Sequence, residues 1–402
     1  MPSPCERPFR PRRLTTGLIL LGSALAAPSP AQETPPPTEA AQIVRSTGPW
    51  GTIESYPITL EPPASHLWEA LYDERSYWNF GSMDQASVRA LLAELGFTDE
   101  TLSLVDRDGV WKPSNSGLDL EINDAIIESL RPEDRAALTK WLRLNNEYHF
   151  SKVVINLEGG DFSSFENGKV SPATLDLVKR MAFKRRNVLS LMDRAYILRQ
   201  LGGDASEKED FLRAAFATQS LIVSLVLDET TDLEAAVSYW SAGGLNREIE
   251  STLRGVLTTS GADRVDLVQI LPPVPRRYLY GFTNLRDVGP NNTPDCFWAS
   301  VQFFHRKASA RLLDAAIGQQ HIAGDFEEVE GEPRFGDLVC MFNDTDGSFL
   351  HSYVYIADDI VFTKNGASFA RPFVLTRKSD MLSVYLDEST FHQRAFRRKR
   401  AS

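Results

Sequence analysis

Cysteine is scarce in this chain: three residues among 402, at Cys5, Cys296 and Cys340. That excludes a disulfide-dense scaffold, so stability has to come from packing. Histidine is nearly as rare, with six residues, and His66 and His149 have no partner at metal-ligand spacing. Neither "DRDG" (106–109) nor "EGGDFSSFENG" (158–168) carries the alternating oxygen ligands and closing glutamate of a calcium loop. No metal site and no organic cofactor is read from the sequence. Positive charge is in deficit, 43 Lys and Arg against 54 Asp and Glu, for a formal net charge of −11. Bulk attraction to nucleic acid or to an anionic membrane surface is thereby excluded. Long apolar runs are absent after the first thirty residues, so no later segment reaches the roughly 18 apolar residues of a membrane span. There is no internal repeat of fixed period.

The N-terminus does carry a pattern. "MPSPCERPFRPRRLTTGLILLGSALAAPSPAQ" runs from a basic segment (Arg7, Arg10, Arg12, Arg13) into an apolar stretch and then small residues. This is the form of a secretory signal peptide over residues 1–31, with cleavage fitting after Ala26 or after Ala31. Four arginines and one glutamate leave with it, which takes the formal charge to about −14. Cys5 precedes the apolar run and leaves too. The expected location is exported, periplasmic or extracellular, with no transmembrane segment after cleavage. Residues 32–45 are proline-rich and without hydrophobic period, as expected of an extended tether.

Residues 46–275 read as a helical domain of seven to nine helices. Val88, Leu91, Leu92 and Leu95 recur at helical spacing behind Asp84, and Pro132 and Pro172 sit at first-turn positions. Ser206 with Glu209 and Thr231 with Glu234 have capping-box spacing. Trp68, Trp78, Trp141 and Trp240 read as core. The role of this region is not legible. Prolines and two asparagines in "LPPVPRRYLYGFTNLRDVGPNNTP" (271–294) mark a connector. Beyond it comes one long helix, "TPDCFWASVQFFHRKASARLLDAAIG", and then strand-like runs "GDLVCMF", "FLHSYVYIA", "IVFTKNG" and "TFHQRAFRRK". The fold class expected is α+β: a mainly helical N-terminal domain, then a small domain of one helix against an antiparallel sheet (276–402).

Thr293 as a cap, Pro294 and Asp295 place Cys296 in the first turn of that helix, where the dipole and unpaired N–H groups lower a thiol pKa below about 8.5. A thiol nucleophile needs a base. His305, nine residues further along the same predicted helix, would stand about 13 Å away. His321 falls in a loop and His392 opens the last strand. His351 opens the strand "HSYVYIADD", directly after a hairpin.

Asp-Cys at a helix start, then Gly336-Asp337-Leu338-Val339, then His351 in "HSYVYIADD" resembles the NlpC family of papain-like cysteine peptidases. The resemblance covers residues 290–365 and implies Cys296 as nucleophile and His351 as base. It implies an amide substrate, usually the stem peptide of bacterial peptidoglycan. The family's third polar residue falls on Thr363. Asn365, on the same strand face, is the better expectation for orienting the imidazole, while Lys364 points the other way if the strand is regular. Asp295, Phe297, Trp298 and Thr363 are expected to line the substrate site. Phe297 and Trp298 replace the family's usual Ser-Gly and would narrow or plug the cleft. The alternative is therefore a non-catalytic envelope binding or scaffold protein whose cleft is filled. A Cys296–Cys340 disulfide, which would silence the thiol, stays open, and the oligomeric state is not read from the sequence.

Overall fold

The computed structural model describes residues 43–400, except 73–74, 147–148, 151–152, 167, 186–187, 285–292 and 386–389. The expected signal peptide and most of the tether lie outside the described residues. The first described element is strand β1 (Val44–Gly48), which turns into β2 (Gly51–Leu60). Helices α1 (Gln85–Glu94), α2 (Asp99–Asp108), α3 (Pro132–Asn145), α4 (Pro172–Met181) and α5 (Ala205–Ala215) follow. Two three-stranded sheets stand among them: Tyr77–Asn79, Val110–Ser114 and Gly117–Glu121, then Ile155–Leu157, Phe183–Arg185 and Val188–Leu191. Strand β3 (Thr218–Val226) pairs along nearly its whole length with β2, and β4 (Arg264–Asp266) completes a four-stranded sheet. Helices α6 (Leu233–Trp240) and α7 (Ile249–Thr258) lie between β3 and β4.

The expected fold class is corrected here. The chain is mixed throughout, with four antiparallel sheets, and there is no helical N-terminal domain followed by a small one. The apolar core of the C-terminal sheet includes Ile53, Val223, Leu225, Trp240 and Leu253. What hid this is the pairing of β2 with β3: "TQSLIVSLV" carries apolar residues at helical and strand spacings alike, and only a partner some 160 residues earlier decides between them. A second core, with Trp78, Leu92, Leu138, Val178 and Phe211, is built from residues 67–215 together with Ala370. Of the four tryptophans expected inside, Trp78 and Trp240 are buried, whereas Trp68 is exposed.

Some caps sit where expected and others one or two residues away. Asp84 caps α1 by accepting from Ser87 N–H, as expected, and Ser171 does the same for α4. Asp204 caps α5 in place of Ser206, and Asp232 caps α6 in place of Thr231, since a charged carboxylate is the stronger acceptor at a helix start. The expected long helix from residue 293 is broken into α8 (Cys296–Val301), a short 3-10 turn (Ala310–Leu313) and α9 (Ala315–Asp325). Gln302 ends the first piece: its Nε2 donates to Trp298 O and its Oε1 accepts from Ser309 N, which ties the chain back on itself.

Six strands follow: β5 (Phe326–Val329), β6 (Leu338–Asn343), β7 (Phe349–Ala357), β8 (Ile360–Lys364), β9 (Phe373–Arg377) and, after α10 (Lys378–Tyr385), β10 (Phe391–Arg398). Their order in the sheet is β5-β10-β6-β7-β8-β9, all antiparallel. Alternation sorts the side chains. Leu338, Cys340, Val354 and Phe362 join the core beneath α8, whereas Val339, Met341, Tyr353 and Val361 join Met381 of α10 on the opposite face.

The Gly-Asp pair before β6 is structural. Gly336 N donates to Tyr355 O, Tyr355 N to Asp337 O, and the Arg397 guanidinium grips the Asp337 carboxylate at 2.9 and 2.6 Å. Gly336 has φ +88°, and an added Cβ would run into the Phe304 ring. Gly336→Ala should therefore destabilise the protein by about 1–3 kcal/mol. Urea denaturation reads this directly, and an unshifted midpoint would remove the argument.

Candidate functional site

Cys296 is the first residue of α8 and is buried. Asp295, not Thr293, caps the helix: its carboxylate accepts from Trp298 N–H at 2.8 Å. Six residues make a weak dipole, and the surroundings overrule it. Burial pushes the thiol up to about 12, and the Asp295 carboxylate adds to the rise. Hydrogen bonds from the N–H groups of Ser352 and Phe297 oppose it without prevailing. The primed, acidic thiol expected from position alone is thus replaced by a resting thiol. Cys340 is also a free, buried thiol.

His351 is fully buried, and its ring leaves β7 on the side away from α8, stacked on Tyr385 of α10 at 4.3 Å. Burial pushes the imidazole down to about 3, so it is neutral. Its hydrogen bonds decide the tautomer. Thr363 Oγ1 donates its one proton to Ser352 O at 3.0 Å, so the same oxygen must accept from His351 Nε2–H, also at 3.0 Å. His351 Nδ1 is left as a bare lone pair, buried and without a hydrogen-bond partner among the described residues. Cys296 and His351 thus reach the same stretch of backbone at Ser352, the thiol toward its N–H and the imidazole, through Thr363, toward its carbonyl. No hydrogen bond joins the two directly.

The remaining expected residues separate. Thr363, at the family position, holds the imidazole; Asn365 does not, because its Nδ2 faces Glu158 Oε1 at 3.4 Å and its Oδ1 has no hydrogen-bond partner among the described residues. Trp298 is core: its Nε1 donates to Ser309 O at 3.0 Å and its ring meets Tyr278 and Phe373. Phe297 is half-buried, edge-on to Phe349 at 5.5 Å and against Gly318 of α9.

Lys364 was not among the expected site residues: alternation points it away from His351, and in the structure that direction is the α8 face, where the thiol lies. It is fully buried, shares the α8 face with Phe362, and interacts electrostatically with Asp295 and Cys296. Ser352 Oγ donates to Ser300 Oγ, and Ser300 Oγ to Cys296 O, which completes a polar cluster beneath the helix.

Elsewhere, an open hollow of about 530 Å³ is lined by Arg75, Ser76, Glu121, Asn123, Asp124 and Arg199. Arg199 is held by Asp124 at 2.5 Å there, which leaves it no evident chemistry. Among the described residues no group of three or more His, Cys, Asp or Glu is placed to hold a metal ion, and no helix is long and apolar enough to cross a membrane. Comparison with known proteins finds no matching family model, no matching curated protein and no matching solved structure.

Proposed function

We propose that this chain is an exported thiol hydrolase of the NlpC kind, acting on an amide of the peptidoglycan stem peptide in the periplasm or outside the cell, with its site closed at rest. The observation that carries the reading is the His351 tautomer. Thr363 holds Nε2–H and leaves the Nδ1 lone pair unengaged as a base, on the opposite face of β7 from the Cys296 thiol. In the reaction, the His351 ring, which the closed form holds on the α10 face of the sheet, has first to reach the thiol on the α8 face; Nδ1 then takes the thiol proton, the thiolate attacks the amide carbonyl, and backbone N–H groups at the start of α8 steady the oxyanion. The imidazolium then protonates the leaving amine, and water hydrolyses the thioester. Burial of both groups opposes the thiolate–imidazolium pair in the closed form, so displacement of Phe297 and entry of water or substrate has to precede proton transfer.

A second reading has a specific observation behind it. The buried thiol and the Phe297–Phe349 contact fit a binding or scaffold protein with a filled cleft. Incubation of purified sacculi separates the two. The mature protein should release soluble peptide fragments, and Cys296→Ala should release none. No release from either protein, together with a native Cys296 that resists iodoacetamide, would establish the scaffold reading instead.

A further inference from the structure

Two imidazoles outside the candidate site converge. His305 stands in the turn that ends α8, its backbone N–H donating to Gln302 O at 2.8 Å. His321, expected in a loop, stands within α9. Their Nε2 atoms are 3.1 Å apart, and their ring planes cross at 80°. His321 is held on its other side as well. Its Nδ1 meets Asp325 Oδ2, one helical turn further on, at 2.7 Å, and the Phe326 ring stands edge-on to it at 5.8 Å. Both rings are half-buried, so solvent reaches the pair.

The carboxylate decides the tautomer. An ionised Asp325 only accepts, so His321 Nδ1 carries the proton and His321 Nε2 is a bare lone pair facing His305. His305 Nε2–H supplies the hydrogen bond between the rings. A neutral imidazole that carries its proton on Nδ1 instead offers a second bare nitrogen at the same place. A carboxylate behind a histidine is the arrangement that orients a metal-binding imidazole and raises its basicity. The spacing fits an ion too. Metal–nitrogen bonds of about 2.0–2.1 Å to two nitrogens 3.1 Å apart enclose about 95–102°, between the octahedral and tetrahedral angles. Burial holds both rings below their ordinary range, His305 at about 4, so both are in the neutral form that a metal takes. Of the charged side chains acting on the pair, Asp325 favours a cation and Arg398 of β10 opposes one.

We propose that His305 and His321 form a binding site for a divalent transition-metal ion of the Zn²⁺ type, with Asp325 positioning His321. No third His, Cys, Asp or Glu joins them among the described residues, so the ion keeps its remaining positions for water or an added ligand. Once bound it fastens α9, whose Gly318 lies against Phe297, to the turn that ends α8. The site and its test are independent of the thiol-hydrolase reading.

The test is equilibrium dialysis and calorimetric titration of the chelator-treated mature protein with Zn²⁺, with thermal melting in parallel. Wild type should take up one Zn²⁺ per chain and melt higher with it, since an ion that binds only the folded state stabilises that state. His305→Gln and His321→Gln should lose both the uptake and the shift. Asp325→Asn should bind about ten-fold more weakly, the usual cost of removing the group behind a metal-binding histidine. Cys340→Ala and His392→Gln should bind as wild type does. Co²⁺ in place of Zn²⁺ should give a spectrum without a thiolate-to-metal band, because both ligands are nitrogen. Circular dichroism checks that each variant is folded. Asp325 is 55% exposed, so its variant keeps the test decisive should either histidine variant fail to fold. A histidine pair that serves only as a hydrogen bond would lower the melting temperature of the variants while wild type takes up no stoichiometric Zn²⁺. That result, full uptake by both histidine variants, unchanged affinity in Asp325→Asn, or a thiolate band with Co²⁺ overturns the proposal.

Discussion

Arg371→Met should destabilise the protein by about 3–5 kcal/mol near neutral pH, because it removes one partner of a buried charge pair and leaves the other behind. The guanidinium ties together three parts of the chain. Nη2 donates to Asn156 O at 2.7 Å, and Nη1 reaches Thr218 Oγ1 at 3.0 Å, Ala217 O at 3.2 Å and Glu158 Oε1 at 3.5 Å. Methionine fills similar volume but donates nothing. The loss depends on pH through Glu158. Burial raises the Glu158 carboxyl above its ordinary value of 4.5, and Arg371 is the main group holding it down. A carboxyl whose folded-state pKa is raised leaves stability intact below its unfolded pKa and lowers stability as pH climbs through the folded one. Without Arg371 that rise is steeper. The loss measured by urea denaturation should therefore be smaller near about pH 5 than near about pH 7.5. Adding Glu158→Gln to Arg371→Met should remove the pH-dependent part. Identical losses at both pH values would mean that the charge of Glu158 plays no part.

The same segment shows which features local sequence can reveal. Hairpins were legible because their turns are local. "NDTDGS" closes β6 onto β7 with Asn343 Oδ1 accepting from Thr345 N–H, and Asp358 takes the left-handed conformation, φ +54°, between β7 and β8. Cap positions were legible to within two residues. The break after Val301 was not, because it depends on Gln302 reaching a residue seven positions ahead. The long β2–β3 ladder was hidden for the same reason on a larger scale. At the site, strand alternation carried more information than the choice of Asn365 used. It put Thr363 with His351 and Lys364 the other way, as the structure has them, but the His351 face turns to α10 and the Lys364 face to α8, the reverse of what the Cys-His pairing required. Thr363 holds the imidazole because the bond is completed by the Ser352 carbonyl, a long-range detail with no local signature. The depth of burial of Cys296 was likewise invisible. A Thr-Pro-Asp helix start reads as surface, yet in the fold Cys296 is buried, and its neighbour Phe297 packs on Phe349 and α9.

His351→Ala should lower the rate of amide cleavage by about 10²–10⁴-fold, the usual worth of a positioned general base. The more searching variant is Thr363→Val, which keeps the shape and removes the oxygen. His351 Nε2–H then has no acceptor in a fully buried place, at a cost of about 1–3 kcal/mol in stability. The ring loses the bond that fixes its tautomer, so Nδ1 is no longer reserved as the base, and cleavage should fall by about ten- to a hundred-fold. Thr363→Ser retains the hydroxyl and should recover most of the rate. Asn365→Ala should change it little, since Asn365 turns to Glu158. Nitrogen chemical shifts of the His351 ring read the tautomer independently of activity: protonated Nε2 and bare Nδ1 in wild type and Thr363→Ser, a mixture in Thr363→Val. A purely structural threonine would lower stability in Thr363→Val while leaving those shifts and the rate of the folded protein as they were. A role for Asn365 instead would reverse the order, with Asn365→Ala slow and Thr363→Val near wild type. The two residues are two positions apart on one strand, so the pair of variants decides which of them the imidazole answers to.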